Sequence, residues 1–133
     1  MARILVIDDD PFLLRLLDIH LSRSGHQVVV APGAVEGLRF LIKDDFDAVV
    51  TDVEMPYLSG LEVAQAIRGD PRTSHLPILM LTTRRDEQVQ HQAAALGALH
   101  VGKPVAAAEL LTFVEKLLSS ADPVSGCPPA GEA

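Results

Sequence analysis

The sequence has no tryptophan, one tyrosine and a single cysteine among its 133 residues. One cysteine cannot form an internal disulfide, which agrees with a reducing compartment. The apolar runs are broken by charge or proline well before the roughly 18 residues that a membrane-spanning helix requires. The first residues also lack the long apolar stretch and the cleavage site of a secretory signal. We therefore expect a cytoplasmic protein without a membrane segment.

Positive charge is also scarce. Lys and Arg together number 11 against 18 Asp and Glu, so the formal net charge is −7. Because nucleic-acid binding depends on clustered cations that contact phosphates, the domain is not expected to bind nucleic acid directly. Hydrophobic residues make up 48% of the chain and charged residues 22%. That balance is typical of a globular protein, and the length suits one domain.

Short apolar runs alternate along the chain with segments of helical period. Continuous runs of this kind are typical of strands buried on both faces, and they cover residues 3–8, 27–31, 47–52, 77–81 and 99–102. Helices are expected between them at 11–24, around Val35, Leu38 and Ile42, around Leu61, Ala64 and Ile67, at about 86–96, and at about 106–118. The fourth of these helices has few apolar positions, so we expect it to pack loosely.

Five strand–helix repeats predict an α/β domain, doubly wound, with one parallel sheet and helices on both faces. We expect this domain to cover residues 1–120. The remaining residues, 121–133, are small and rich in Pro and Gly without periodicity, which is typical of a flexible tail or linker.

Polar side chains stand where the predicted strands end. Asp8 and Asp9 follow the first run, Asp52 ends the third, Thr82 follows the fourth and Lys103 follows the fifth. In doubly wound sheets, ligands bind beyond the carboxyl ends of the strands. All five residues are therefore expected at one edge of the sheet.

The residue types at this edge suit phosphoryl chemistry. Three converging carboxylates repel one another unless a hard cation such as Mg²⁺ binds their oxygens. Lys103 and Thr82 offer a positive charge and a hydroxyl donor to phosphoryl oxygens, and a carboxylate can itself be the nucleophile. The alternative that strand-end aspartates only cap the following helices stays open for Asp8 or Asp10 taken alone. It does not account for Asp52 together with Lys103 and Thr82.

Over about residues 2–120 the sequence resembles the receiver domains of two-component response regulators. The matching segments are Ile-Leu-Val-Ile-Asp-Asp-Asp-Pro at 4–11, Val-Thr-Asp-Val-Glu-Met-Pro at 50–56 with Ser-Gly at 59–60, Met-Leu-Thr at 80–82, and Gly-Lys-Pro at 102–104. The resemblance implies the chemotaxis-regulator-like fold, a flavodoxin-like sheet of five parallel strands in the order 2-1-3-4-5 with five helices.

The resemblance also implies a phosphorylation site. Asp52 would accept a phosphoryl group from a histidine kinase or a histidine phosphotransfer protein. Asp8, Asp9 and Asp52 would hold Mg²⁺ together with the backbone carbonyl of Glu54. The Glu54 side chain, two residues after Asp52, could in addition lean over the site.

The switch residues of the family map onto the later strands. Thr82 would move toward the phosphoryl oxygens, and Lys103 would pair with them through a Lys103–Pro104 peptide that is usually cis. His100 stands where the family usually carries an inward-turning aromatic, so its inward position is expected to favour a neutral ring. A half-exposed histidine without a switching role is the alternative. Thr83 stands where the family usually has Ala or Gly. Its larger side chain either narrows access to the phosphoryl group or is simply tolerated at that position.

The implied function is a signalling phosphoacceptor rather than a conventional enzyme. It would catalyse its own phosphoryl transfer and slow autodephosphorylation, and change its affinity for an unknown output partner through the fourth helix, fifth strand and fifth helix. The same face could form a homodimer. Two alternatives remain. One is a Mg²⁺-dependent phosphohydrolase with an Asp nucleophile, loosely suggested by Asp8-Asp9-Asp10. The other is a degenerate receiver that acts as a constitutive interaction module.

Overall fold

A computed structural model of the chain describes residues 2–82, 87–103 and 106–120. Within these ranges five strands alternate with five helices: β1 (Arg3–Ile7), α1 (Pro11–Arg23), β2 (Gln27–Ala31), α2 (Ala34–Lys43), β3 (Ala48–Asp52), α3 (Gly60–Gly69), β4 (Ile78–Thr82), α4 (Glu87–Ala95), β5 (Leu99–Gly102) and α5 (Ala107–Ser120). All strands pair in parallel in the order β2-β1-β3-β4-β5. The predicted fold and strand order are confirmed. The expected tail at 121–133 lies outside the described residues.

The central strands form the buried middle of the sheet. Every residue of β3 and β4 is buried, as is all of β1 except Arg3. The edge strands differ, because β2 and β5 each have a neighbour on one side only and retain exposed or half-exposed positions. Burial on both faces is therefore confirmed for the three middle strands and wrong for the edge strands β2 and β5. No helix in the described part of the chain is long and apolar enough to cross a bilayer.

Two hydrophobic layers cover the two faces of the sheet. One face carries Leu5, Val49 and Met80 and packs against α2, α3 and α4. The other carries Val6, Val50 and Leu81 and packs against α1 and α5. The alternation of neighbouring strand residues between the two layers follows from the two-residue period of a strand. Helices therefore cover both faces of the sheet, which leaves the ends of the strands for polar chemistry.

The ends of α1 fix the loop that follows β1. The Asp10 carboxylate accepts a hydrogen bond from the Phe12 amide at 3.0 Å, and Pro11 occupies the first turn, where no amide donor is required. Gly25 ends the helix with a φ of 91°, a conformation that residues with a side chain rarely adopt. Asp10 and Pro11 thus define the start of the helix, and Gly25 its end. The Asp8–Asp10 segment connects β1 to this first turn.

The buried face of α2 differs from the expected one. Val35 and Ile42 are 46% and 71% exposed, whereas Ala34, Gly37 and Leu41 are buried. A Cβ atom added at Gly37 would lie 2.4 Å from the Ile7 side chain, so the helix backbone approaches β1 too closely for a larger residue. Ala34, Gly37 and Leu41 rather than Val35 and Ile42 therefore face the sheet, and Leu38 is partly buried against the same core. In α4, Val89 and Ala93 are the buried residues, which agrees with its weak apolar pattern; the expected start at residue 86 lies outside the described ranges.

Candidate functional site

The strand register brings the predicted polar residues to one edge of the sheet. Asp52 is the last residue of β3 and pairs with Leu81 of β4, so Thr82 is the next residue along the neighbouring strand. Asp8 extends β1 by one residue, since its amide donates to the Ala31 carbonyl at 3.2 Å. The Lys103 amide likewise donates to the Thr82 carbonyl at 2.7 Å. Short backbone hydrogen bonds therefore position each of these side chains.

A lysine and two aspartates form the centre of the site. Lys103 Nζ lies 3.1 Å from Asp8 Oδ2 and 3.2 Å from Asp52 Oδ1. Asp8 and Asp52 are 1% and 4% exposed, so both carboxylates are shielded from bulk water. Asp8 Oδ1 also accepts a hydrogen bond from the Asp10 amide at 2.9 Å. Within the described residues, Asp52 Oδ1 forms an ion pair with Lys103 but no hydrogen bond of regular geometry.

Negative charge outweighs positive charge at this centre. Asp8, Asp9 and Asp52 each offer a carboxylate oxygen, and these oxygens lie within 4.8 Å of one another. Burial, followed by the charge of Asp8, raises the pKa of Asp52 to about 6. Burial also raises the pKa of Asp8. Burial lowers the pKa of Lys103, but the charges of Asp52 and Asp8 outweigh that effect and raise it overall. A single lysine thus leaves the three carboxylates under-neutralised.

Glu54 joins the site through its side chain. The Thr82 hydroxyl donates a hydrogen bond to Glu54 Oε2 at 2.7 Å, and Thr82 is buried at the end of β4. The family pattern assigns Glu54 a backbone role only. That its carboxylate leans over the site was expected from its position, but the hydroxyl it binds was not. Nothing in the sequence pattern identifies this pair, since the two residues are 28 positions apart.

The loop after Asp52 is held closely against the end of β3. Ser59 and Glu62 form a reciprocal capping box at the start of α3, with hydrogen bonds of 3.0 and 3.3 Å. The Gly60 amide donates to the Val53 carbonyl at 3.0 Å. Tyr57 is almost fully exposed, and its φ of 74° is unusual for a residue with a side chain. The capping box and the hydrogen bond from Gly60 to Val53 therefore fix the backbone of the loop that follows Asp52.

The remaining predicted residues are placed less completely. His100 lies half-buried on β5 and pairs in register with Met80, so it belongs to the face of the sheet that α4 covers. Thr83 and Pro104 lie outside the described residues, and the peptide geometry expected for Lys103–Pro104 stays a prediction. The site roles assigned to His100 and Thr82 also stay predictions.

The pKa of Asp52 leads to an expected pH dependence of stability. Between about pH 4 and 6 the unfolded chain releases this proton while the folded domain retains it, so stability falls as the pH rises through that window and the loss persists above it. Asp52→Asn removes the charge that the fold disfavours. The variant is expected to raise the free energy of unfolding of the metal-free domain by about 2 kcal/mol at pH 7 and to have little effect near pH 4.

Urea unfolding at both pH values, in a chelating buffer, measures this difference. Asp45→Asn, at an exposed position, is the control and should leave stability unchanged. An Asp52→Asn variant that is no more stable than the parent at pH 7 would show that the carboxylate is not disfavoured in the folded state.

Comparison with known proteins agrees with this geometry. The chain belongs to the response regulator receiver domain family, whose model matches residues 4–115. It is 35% identical over 123 residues to the DNA-binding dual master transcriptional regulator RpaA of Synechocystis sp., a match that covers 92% of this chain and 51% of that protein. The chain thus spans about half the length of the curated relatives it matches.

Solved structures show the same fold. The chemotaxis response regulator CheY4 of Vibrio cholerae superposes with a TM-score of 0.83 at 30% identity, over 88% of this chain and 98% of that chain. The response regulator TrrA of Thermotoga maritima, solved in complex with Mg²⁺ and BeF, has a TM-score of 0.77 and 34% identity, over 88% and 99%. The chain is therefore a receiver domain of a two-component response regulator. Such domains are signalling phosphoacceptors rather than conventional enzymes, which speaks against the phosphohydrolase alternative.

Proposed function

We propose that Asp52 accepts a phosphoryl group from the phosphohistidine of a histidine kinase or a histidine phosphotransfer protein, and that this changes the affinity of the domain for an output partner. The observation that carries the proposal is a buried Asp52 carboxylate with the Lys103 ammonium 3.2 Å away and two further carboxylates beside it. A structural aspartate at a strand end requires none of these neighbours.

The transfer is a substitution at phosphorus. A carboxylate oxygen of Asp52 forms the new O–P bond as the N–P bond of the donor imidazole breaks, and the electron pair of that bond stays on the donor nitrogen. Lys103 would pair with the negative charge of the transferred group, and the Thr82 hydroxyl would donate to one of its oxygens. Burial of Asp52 keeps competing water away from the reacting carboxylate.

The residues at the site fit a bound Mg²⁺. Three carboxylates, one of which has a buried oxygen without a regular hydrogen bond among the described residues, form the oxygen donor set that this ion prefers. Asp8, Asp9, Asp52 and the backbone carbonyl of Glu54 would hold it. When bound, Mg²⁺ neutralises charge on the carboxylates and on the phosphoryl oxygens. Receiver domains bind Mg²⁺ at an acidic pocket, and TrrA was solved with this ion.

Phosphoryl incorporation tests the proposal directly. With acetyl phosphate and Mg²⁺, intact-mass spectrometry of the purified domain is expected to show one labile phosphoryl group per chain. In a chelating buffer the incorporation should fall to background, because the clustered carboxylates then repel the incoming anion. Incorporation that is equal with and without Mg²⁺ would contradict the metal site, and no incorporation under either condition would favour a degenerate receiver.

The output surface is proposed to be the face formed by α4, β5 and α5. Its supports are the sparse buried contacts of α4, where Val89 and Ala93 are the buried residues, and the position of His100 on the sheet face beneath that helix. A helix held by few apolar contacts is displaced at a low cost in free energy. A shift of Thr82 toward the phosphoryl group can therefore change the fraction of molecules in which α4 is displaced. The same face would serve a homodimer.

Hydrogen exchange with and without beryllofluoride and Mg²⁺ tests this surface. Protection is expected to change in peptides covering α4, β5 and α5, with little change in α2. The same comparison in His100→Phe tests the switching role of His100, since a bystander would leave the protection changes as they are. Changes confined to α1 and α2 would contradict the proposed surface.

The output partner is proposed at the level of its class. RpaA, which is DNA-binding, is about twice as long as the matched region, so a DNA-binding domain is one output that phosphorylation could control. With its acidic charge, the receiver itself would act through protein contacts. Mixing the phosphorylated and unphosphorylated domain with a candidate partner and comparing the two dissociation constants measures this control.

A further inference from the structure

We propose that the Glu54 carboxylate competes with the phosphoryl group for the hydroxyl proton of Thr82, and thereby limits how far the phosphorylated domain switches. The inference rests on the proposed function, because it requires a phosphoryl group on Asp52. It assigns a positioning role to a side chain for which the family pattern supplies only a backbone carbonyl.

The competition follows from the chemistry of one hydroxyl. A threonine hydroxyl has a single proton to donate, and in this structure it is donated to Glu54 Oε2 at 2.7 Å. Hydrogen bonds to an ionised acceptor are about twice as strong as those between neutral groups. Thr82 is 2% exposed, so bulk water is largely excluded from it. The proton cannot reach a phosphoryl oxygen until the bond to Glu54 is broken.

The chain path holds Glu54 at this position. The Val53 amide donates to the Leu81 carbonyl at 2.9 Å, which fixes the residue before Glu54 against the residue before Thr82. Glu54 is itself half-buried. The carboxylate is thus attached to a backbone that is already bonded to the strand carrying the hydroxyl, and little conformational entropy is lost when the hydrogen bond forms.

Thr82 therefore has two states that differ in the group accepting its hydroxyl proton, although both acceptors carry negative charge. In one state the hydroxyl donates to the Glu54 carboxylate, and in the other it donates to an oxygen of the phosphoryl group on Asp52. Because both acceptors are anionic, the bond lost offsets much of the bond gained. Removing the Glu54 carboxylate takes away the competing acceptor and favours the second state.

Affinity for beryllofluoride at saturating Mg²⁺ measures this balance. Glu54→Ala is expected to bind beryllofluoride about tenfold more tightly than the parent. Saturating Mg²⁺ keeps the effect separate from any change in metal affinity, which is titrated by itself. Glu109→Ala, which removes a negative charge from an exposed position of α5, is the matched control and should leave the affinity unchanged.

A double-mutant cycle separates competition from simple repulsion. If Glu54 acts through the hydroxyl, Glu54→Ala has no effect on beryllofluoride affinity in a Thr82→Ala background. If the carboxylate only repels the incoming anion, the same tightening appears in both backgrounds, and the proposal is overturned. It is also overturned if Glu54→Ala fails to tighten binding when Thr82 is present. Thermal unfolding of each variant confirms that the domains compared are folded.

Metal-free protein gives an independent readout. In amide NMR spectra without Mg²⁺, Glu54→Ala is expected to shift the Thr82 signal, while Glu109→Ala leaves it in place; an unchanged Thr82 signal in Glu54→Ala overturns the proposal. The two levels of inference fail separately. If the parent domain binds no beryllofluoride, the proposed function is contradicted. If the parent and Glu54→Ala bind beryllofluoride with equal affinity, only the competition is contradicted.

Discussion

Asp52→Ala is expected to abolish phosphoryl incorporation from acetyl phosphate, a loss of at least about a thousandfold in the rate of labelling. The substitution removes the proposed nucleophile, whose carboxylate is buried beside Lys103 at the end of β3. Of the three clustered carboxylates, Asp52 is the one on β3, where it pairs with the residue before Thr82 on β4. Intact-mass spectrometry after treatment in the presence of Mg²⁺ measures the loss.

Control variants distinguish loss of the nucleophile from loss of the site. Asp9→Ala retains Asp52 but removes a carboxylate from the acidic cluster, so it should label more slowly and respond to raised Mg²⁺ concentration. Asp45→Ala changes an exposed aspartate away from this edge and should label as the parent does. Equal labelling of Asp52→Ala and the parent would rule out Asp52 as the acceptor.

The sheet and the position of the site followed from the sequence because both depend on short-range rules. Continuous apolar runs identify the buried strands, and parallel topology brings their carboxyl ends to one edge. Asp8, Asp52 and Lys103 could therefore be placed together from the sequence. In the structure, one carboxylate oxygen of each aspartate lies 3.1 or 3.2 Å from Lys103 Nζ. These distances are set by the register of β1, β3, β4 and β5.

What could not be predicted depends on close approach between distant segments. The apolar positions predicted for α2 were Val35, Leu38 and Ile42, but only Leu38 packs against the core, because the close approach to Ile7 places Gly37 against the sheet. The Thr82–Glu54 hydrogen bond joins the end of a strand to a loop, and no spacing rule predicts it. Such contacts arise from packing in three dimensions, where residue size and backbone path decide rather than hydrophobic pattern.

The placement of Asp52 is expected to favour the proposed function and to lower stability. Asp52 lies beside Asp8 in a buried position, and burial raises the pKa of both groups. The same placement would gather oxygen ligands for the proposed Mg²⁺ and shield the proposed nucleophile from water. The stability gain expected for Asp52→Asn and the labelling loss expected for Asp52→Ala are therefore two consequences of one placement.

Gly60→Ala is expected to destabilise the domain by about 3 kcal/mol and to weaken binding of beryllofluoride and Mg²⁺ in the folded fraction. A Cβ atom at Gly60 would lie 2.2 Å from the Asp52 carbonyl oxygen and 3.1 Å from the Val53 Cα atom. Both neighbours are backbone atoms, so no side-chain rotation relieves the contact. Either the start of α3 or the end of β3 has to move, and the end of β3 carries Asp52, the proposed phosphoacceptor.

Gly69→Ala is the matched control, because it makes the same substitution at the other end of the same helix. Nothing lies within 4 Å of a Cβ atom at Gly69, and its φ lies outside the left-handed region. Alanine there should leave stability unchanged or raise it by up to about 1 kcal/mol, since it restricts the unfolded chain more than glycine does. Urea unfolding and beryllofluoride titration of both variants separate a general effect of alanine in α3 from contact with Asp52. If Gly60→Ala matches Gly69→Ala in both measurements, the close approach of α3 to β3 does not position Asp52, and the hydrogen bonds of β3 to β4 hold it alone.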